Sequence, residues 1–228
     1  MPLFYDPTFL LLIPALLFSM WAQFRVQSTF RRYDEIGARR GVTADQVSRA
    51  LLDKFGLRGV RVEKVAGNLT DHYDPGNKVL RLSDSTSGSS SIAAIGVAAH
   101  EVGHALQDMD SYAFLRVRNA IVPVVNVGSM LSMPLFFIGL IMGSLNLLNI
   151  GILLFCGVLV FHLVTLPVEF DASARALRVL SDTGLLASDE IGGARAVLRA
   201  AALTYVSALL MTVLQLLRLL VLRNARRR

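Results

Sequence analysis

The stretch LLNIGILLFCGVLVFHLVTLPVEFD, residues 147–171, decides the fold class of this protein. Its first part, residues 147–168, contains no Asp, Glu, Lys or Arg, and a helix of about 20 apolar residues is long enough to cross a bilayer. Glu169 and Asp171 follow Pro167 closely, at the point where such a helix would meet water. The stretch therefore predicts a membrane helix with carboxylates at its polar end.

Further apolar runs lie elsewhere in the chain. Residues 122–142 precede the first stretch and are separated from it by the short loop 143–146, so these two runs predict a helical hairpin in the membrane. The runs at residues 9–24 and 196–222 predict a first and a last membrane helix. Hydrophobic residues make up 54% of the 228 residues, which is too large a share for an ordinary soluble domain.

The segment between the first two runs has the composition of a soluble region. Residues 43–46, TADQ, have the pattern of a capping box that opens a helix through Leu52. Two short alternating runs, residues 60–65 and 78–82, are separated by turn-forming residues and predict a β-hairpin. We therefore expect a mainly α, multi-pass helical membrane protein with a small α+β insertion made of a helix and a hairpin.

The formal net charge of +6 comes from arginines that cluster at the edges of the apolar runs. They form no stripe interleaved with aromatic residues, so we expect contact with anionic lipid and no binding of nucleic acid. Asp6 precedes the first run and Arg25 follows it, which predicts an uncleaved helix that ends at the cytoplasmic side of a bacterial membrane. The soluble segment is then cytoplasmic. A full last span would carry the basic tail across the membrane, whereas a run interrupted by Gln215 and Arg218 could lie partly in the interface.

The pentapeptide HEVGH, residues 100–104, is the main indicator of chemistry. Two histidines four residues apart lie on one face of a helix, so His100 and His104 can bind the same tetrahedral metal ion. Glu101 lies beside that face, where it can take a proton from water whose pKa zinc lowers toward about 7. The motif predicts one zinc ion per chain, with Glu101 as the general base of a peptide hydrolase.

A catalytic zinc site needs a third protein ligand and an open fourth position. Glu169 is the favoured candidate and Asp171 the alternative, because both stand where an apolar run meets water. His162 is a distant third, since it lies deep within the same run. Cys156 is the single cysteine, so a cysteine-based zinc site and an intramolecular disulfide are both excluded.

Longer stretches of the chain resemble the YugP-type family of bacterial membrane zinc metallopeptidases, also called neutral zinc metallopeptidases. The matching stretches extend almost from end to end and are residues 5–8 (YDPT), 21–24 (WAQF), 71–75 (DHYDP), 94–105 (AIGVAAHEVGHA), 122–126 (VPVVN), 165–173 (TLPVEFDAS) and 201–206 (AALTYV). The resemblance implies an integral membrane peptidase that uses zinc. It implies nothing about which protein is cut.

Residues 169–172, EFDA, are also similar to the downstream glutamate motif of membrane zinc peptidases related to thermolysin. In those gluzincin-like enzymes the glutamate is the third ligand, and the matching residue here is Glu169. Their aspartate comes later in the helix than Asp171 does. We expect Asp171 either to hydrogen-bond a ligating histidine or to serve as the alternative ligand.

On this basis the predicted domains are an N-terminal membrane helix (1–24), a soluble α+β segment with the HExxH helix (25–121), a membrane hairpin (122–168), a helix with the third zinc ligand (169–195), and a C-terminal membrane helix with a basic tail (196–228). Hydrolysis also needs a hydrogen-bond donor for the oxyanion, and His72 and Tyr73 in a polar loop are the candidates. An edge strand around residues 78–82 would hold an extended substrate by backbone pairing.

The predicted function is a membrane-embedded zinc metalloendopeptidase that cuts extended or unfolded polypeptide, with membrane protein quality control as a possible setting. The alternative is a non-catalytic zinc-binding membrane scaffold or partner subunit, which would not require Glu101. The sequence leaves the physiological substrate, the oligomeric state and regulation by partners open.

Overall fold

The computed structural model of the protein describes residues 7–226, so Tyr5, Asp6, Arg227 and Arg228 lie outside the described residues. A 3-10 turn, Pro7–Leu12, leads into the first helix. The elements that follow are α1 (Ile13–Asp34), α2 (Ala44–Lys54), β1 (Arg61–Val65), β2 (His72–Asp74), β3 (Val79–Ser83), α3 (Ile92–Met109), α4 (Ala113–Met142), α5 (Leu145–Thr183) and α6 (Ile191–Arg226). Helices α1, α4, α5 and α6 are long and apolar enough to cross a membrane, as the apolar runs predicted.

These four helices are longer than the apolar runs from which they were predicted. Apolar residues mark only the part of a helix at bilayer depth, while its polar turns continue into water. Helix α4 begins at Ala113 instead of residue 122, and α5 joins the run 147–168 to the segment from Glu169 onward. Pro167 therefore lies inside one continuous helix, which membrane helices tolerate because neighbouring groups satisfy the freed backbone carbonyl.

The three-stranded sheet differs from the predicted hairpin. Strand β1 pairs with β3 in parallel, and β2 pairs with β3 antiparallel, giving the order β1-β3-β2. The true hairpin joins β2 to β3 through a turn in which Asp74 Oδ1 accepts hydrogen bonds from the backbone N–H groups of Gly76 and Asn77, both at 3.0 Å. A strand as short as His72–Asp74 carries too little alternation to be recognised in the sequence.

This topology also overturns the predicted substrate-holding edge. Residues 79–83 form the central strand, and both of its edges are already paired. The free edges belong to β1 and β2. The prediction failed because the position of a strand within a sheet depends on pairing with a distant segment of the chain, here β1 with β3.

The chain divides into two compact units, and one of them comprises residues 23–115 and 167–203. Its core contains fully buried Leu51, Leu80 and Ile95, from α2, the sheet and α3. The predicted capping box begins α2, where the backbone N–H of Thr43 donates to Gln46 Oε1 at 3.1 Å. Ser91 begins α3 by accepting a hydrogen bond from the backbone N–H of Ala94. The shared buried residues hold α3 against the sheet and α2.

The other unit comprises residues up to 22, 116–166 and from 204 onward. Its buried cluster is formed by Phe136, Leu148, Ile152 and Leu219, from α4, α5 and α6. At Gly151 an added Cβ would lie 2.8 Å from the backbone oxygen of Ser132. Helices α4 and α5 therefore pack at backbone distance, as expected for the predicted membrane hairpin.

Candidate metal centre

Helix α3 carries the HEVGH motif in a buried setting. His104 is 9% exposed and Glu101 is 7% exposed. The glycine within the motif faces α5 directly, since a Cβ added to Gly103 would lie 3.0 Å from the carbonyl carbon of Ala172. Only glycine permits this approach of the two backbones. It brings the histidine face of α3 to the turn of α5 that contains Glu169.

Three side chains converge at this contact. Glu169 Oε2 lies 3.2 Å from His100 Nε2 and 3.6 Å from His104 Nε2. Ligand atoms about 2 Å from a tetrahedral zinc ion are roughly 3.3 Å apart, so this spacing fits the ion. His100, His104 and Glu169 offer ligand atoms that all lie within 4.8 Å of one another. With an ion bound tetrahedrally, this donor set would leave a fourth coordination position open for water or substrate.

The other two ligand candidates are placed elsewhere. Asp171 Oδ2 accepts hydrogen bonds from Gln107 Nε2 at 2.8 Å and from Arg175 Nε at 2.6 Å. His162 lies more than one helical turn before Glu169 in α5, beside the ring of Phe161. Among the described residues, neither belongs to the group whose ligand atoms come together.

Each histidine has a second partner on the nitrogen that faces away from Glu169. His100 Nδ1 lies 3.1 Å from Ser173 Oγ, and His104 Nδ1 lies 3.0 Å from Gln107 Oε1. Sequence reasoning missed both partners. The only available signal was their spacing, since Ser173 is four residues after Glu169 and Gln107 is three residues after His104 on the same helices. Such partners fix the orientation of a ligating imidazole.

The charges around His104 favour its protonated form before any metal binds. Burial disfavours that form, but the hydrogen bond to Glu169, together with the charges of Glu101 and Glu169, outweighs burial and raises the pKa of His104 above its usual value. A group of two imidazoles around one carboxylate thus attracts a cation, and a proton competes with a metal ion for it.

Glu101 stands apart from these interactions. In the part of the chain that the structure describes, its carboxylate makes no hydrogen bond and no ion pair. It is nevertheless close enough for its charge to act on His104. A buried carboxylate without a partner is available to accept a proton from water.

The two predicted oxyanion donors lie on β2. The hydroxyl of Tyr73 donates to Asp108 Oδ2 at 2.7 Å, and burial together with this hydrogen bond raises the pKa of Tyr73 above its usual value. His72 is exposed, with Nδ1 2.9 Å from the backbone oxygen of Thr70 and Nε2 3.3 Å from Arg81 Nη1. Both side chains therefore have partners outside the metal cluster.

The chain is similar to a known protein family and to a curated relative. The profile of the family described as "putative neutral zinc metallopeptidase" matches residues 8–224. The chain is 49% identical over 208 residues to the "putative membrane protease YugP" of Bacillus subtilis (strain 168), covering 91% of this chain and 92% of that protein. No solved structure matches the chain.

Proposed function

Because the chain belongs to the family described as putative neutral zinc metallopeptidases, we propose that it is a membrane-embedded zinc metalloendopeptidase. The observation that carries the proposal is the convergence of His100, His104 and Glu169 beside an unpartnered Glu101. Two imidazole nitrogens and a carboxylate oxygen form a donor set typical of catalytic zinc. One zinc ion per chain would be held by these three residues.

Zinc, when bound, supplies Lewis acidity that lowers the pKa of water and polarises a carbonyl. In the proposed mechanism the carboxylate of Glu101 takes a proton from the attacking water, and the water oxygen forms a bond to the carbonyl carbon of the peptide. Glu101 then gives the proton to the departing amine as the C–N bond breaks. The chain neither gains nor loses a proton over the cycle.

The oxyanion requires a hydrogen-bond donor. For Tyr73 to fill this role its hydroxyl must exchange Asp108 for the substrate oxygen, and its raised pKa keeps the hydroxyl protonated for that purpose. His72 would have to turn away from Thr70. The proposed role therefore requires each side chain to give up a contact that it makes in the structure.

The proposed substrate is an extended or unfolded polypeptide, for which membrane protein quality control is a suitable setting. Strand β2 packs on α3, the helix with the histidines, and its outer edge is unpaired in the sheet. A peptide added along this edge would form backbone hydrogen bonds without regard to its side chains. This replaces the edge that was expected at residues 78–82.

We also propose that the site faces the cytoplasm. In the unit that contains residues 116–166, Arg218 Nε donates to Thr8 Oγ1 at 3.3 Å, Arg223 Nη1 to Asn149 Oδ1 at 3.3 Å, and Arg226 Nη2 to the backbone oxygen of Leu140 at 2.6 Å. The start of α1, the α4–α5 turn and the end of α6 therefore share one side of the membrane. All four candidate helices then cross it.

The segment 35–112 links the end of α1 to the start of α4, so it lies on the opposite side, together with the α5–α6 connection. Arginines close to helix ends are more numerous on that side, namely Arg25, Arg31, Arg32, Arg116, Arg118, Arg175, Arg178, Arg195 and Arg199. The positive-inside tendency places such a side in the cytoplasm. The basic end of α6 lies on the other side of the membrane in this proposal and departs from the positive-inside tendency.

The decisive experiment compares zinc content and cleavage of casein, an unfolded protein substrate, for detergent-purified wild type and Glu101→Gln. We expect about one zinc per chain in both proteins and a loss of cleavage of about 10²–10⁴-fold in the variant. Glu35→Gln is the matched control, because Glu35 is exposed and distant in sequence from the motif. Equal cleavage by wild type and Glu101→Gln would refute Glu101 as the general base, and zinc in neither would refute the metal site. Zinc in both without cleavage by either would support the non-catalytic scaffold instead.

A further inference from the structure

Gln107 is a fully buried polar side chain one helical turn after His104, with a relative exposure of 0%. Its amide makes three hydrogen bonds, to His104 Nδ1 at 3.0 Å, to the backbone oxygen of Val168 at 2.8 Å and to Asp171 Oδ2 at 2.8 Å. Burying an amide is unfavourable unless its polar atoms are paired. These three contacts pair both amide hydrogens and the oxygen.

The partners of Gln107 determine which way the amide points. The backbone oxygen of Val168 can only accept a hydrogen bond, and Asp171 Oδ2 already accepts one from Arg175 Nε. Both must therefore face the NH2 group. The amide oxygen is left facing His104 Nδ1, and an oxygen there can only accept. Turning the amide around would set oxygen against two acceptors.

This orientation determines the tautomer of His104. Because the amide oxygen accepts, Nδ1 must carry the hydrogen in the neutral imidazole, and Nε2 must carry the lone pair. Nε2 is the nitrogen that lies 3.6 Å from Glu169 Oε2. A metal ligand requires a lone pair at that atom.

We propose that Gln107 is a positioning residue for the metal site: it holds His104 in the Nδ1–H tautomer and ties that imidazole to the segment of α5 that presents Glu169. The inference rests on the proposed metal site and adds to it how one ligand is prepared. Asp171 acts here through Gln107 and does not touch His104 itself. Arg175 in turn holds Asp171 and also pairs with Asp110, at the end of α3.

Ser173, the partner of His100, does not select one tautomer of the imidazole. Ser173 offers a hydroxyl that rotates and can donate or accept, so its contact with His100 Nδ1 orients the ring without selecting a tautomer. We therefore expect the loss of Gln107 to weaken zinc binding more than the loss of Ser173.

The test measures zinc dissociation constants of the full chain in detergent by competition with a chelator. Gln107→Met keeps the volume of the side chain and removes its hydrogen bonds, and we expect zinc binding to weaken about 10–100-fold. Gln215→Met is the matched control, since Gln215 lies in α6 and its amide contacts Met133 Sδ; there we expect a change within about twofold. Ser173→Ala should fall between the two.

The visible spectrum of the Co²⁺-substituted protein provides a readout that a simple packing role would not change. We expect Gln107→Met to alter the ligand-field bands and Gln215→Met to preserve them, because these bands report coordination geometry. A Gln107→Met protein with wild-type zinc affinity and an unchanged Co²⁺ spectrum would overturn the inference, as would a lowered melting temperature of the zinc-free protein without any change in affinity.

If Gln107→Met does not fold, Asp171→Ala decides the question. Gln107 and Arg175 both donate to Asp171 Oδ2, so alanine removes the acceptor that fixes the amide, while Asp110→Ala removes the other partner of Arg175 as the matched control. We expect weaker zinc binding in Asp171→Ala alone, and equal affinity in the two would overturn the inference. The proposed metal site itself is tested by His104→Ala. Wild-type zinc affinity in that variant would refute the site, which is distinct from a failure of the Gln107 variants alone.

Discussion

Gly103 of α3 lies against the backbone of Ala172 of α5, so closely that an added Cβ would be 3.0 Å from the carbonyl carbon and 3.2 Å from the Cα of Ala172. The obstructing atoms are backbone, which cannot rotate away as a side chain can. Gly103 is next to His104 and three residues after His100, and Ala172 is three residues after Glu169. The separation of α3 and α5 therefore sets the distances among the three candidate ligands.

Gly103→Ala should push the two helices apart and weaken zinc binding together with stability. Overpacking of a tight contact costs about 1–3 kcal/mol. The measurement is the melting temperature of the zinc-free protein followed by its zinc stoichiometry. Gly157→Ala in α5 is the control, because a Cβ there meets nothing within 4 Å; a Gly103→Ala protein as stable and as zinc-replete as Gly157→Ala would contradict the role of the contact.

The zinc affinities of Glu169→Ala and Asp171→Ala should distinguish a zinc ligand from a residue that only supports a ligand. Loss of Glu169 removes the carboxylate that lies within 3.6 Å of both imidazoles, and zinc affinity should fall by more than the roughly 100-fold upper value for residues that only orient ligands. Asp171→Ala should retain zinc with weaker affinity. Isothermal titration of the apoproteins with zinc makes the comparison. The reverse order would identify Asp171 as the third ligand.

Tyr73 should stay protonated at pH values where an ordinary tyrosine ionises. Burial and the hydrogen bond to Asp108 raise the pKa of Tyr73 above its usual value of 10, so the stabilisation of the protonated phenol is present below pH 10 and is lost as the pH rises beyond it. Burial also raises the pKa of Tyr112, so ultraviolet titration of wild type should show late-ionising tyrosines, one of which is lost in Tyr73→Phe.

The same variant tests the proposed role in catalysis. If Tyr73 donates to the oxyanion, Tyr73→Phe should lower kcat about 10²–10³-fold with zinc content unchanged. Because the pKa of Tyr73 is raised, its ionisation should not cause a loss of wild-type activity near pH 10. Unchanged kcat in Tyr73→Phe would show that Tyr73 has no role in catalysis and that its hydrogen bond to Asp108 is only structural.

The sidedness of the protein can be tested with single cysteines in a Cys156→Ser background, in which Asn68→Cys and Asn224→Cys are both exposed positions. A membrane-impermeant maleimide added to intact cells should label position 224 and should label position 68 only after lysis. This follows from the shared side of the α1 start, the α4–α5 turn and the α6 end. Labelling of position 68 in intact cells would place the site outside the cytoplasm.

The comparison of sequence and structure shows which features could be predicted. The four long apolar helices followed from runs of apolar residues, and the start of α2 followed from the Thr43 and Gln46 pattern. The parallel pairing of β1 with β3 was missed, because strand order depends on contacts across the intervening hairpin. The prediction that residues 78–82 form a free sheet edge was wrong for the same reason.

The sequence by itself determined that the chain has four helices long and apolar enough to cross a membrane, and two histidines and a glutamate on one further helix, because length, hydropathy and the spacing of four residues are local properties. Only the tertiary structure decided that Glu169 comes to the histidines while Asp171 turns to Gln107 and Arg175. The hydrogen bonds involved join residues 61 to 73 positions apart. Contacts at such separations arise from the close packing of α3 on α5, which a single glycine permits and no local pattern encodes.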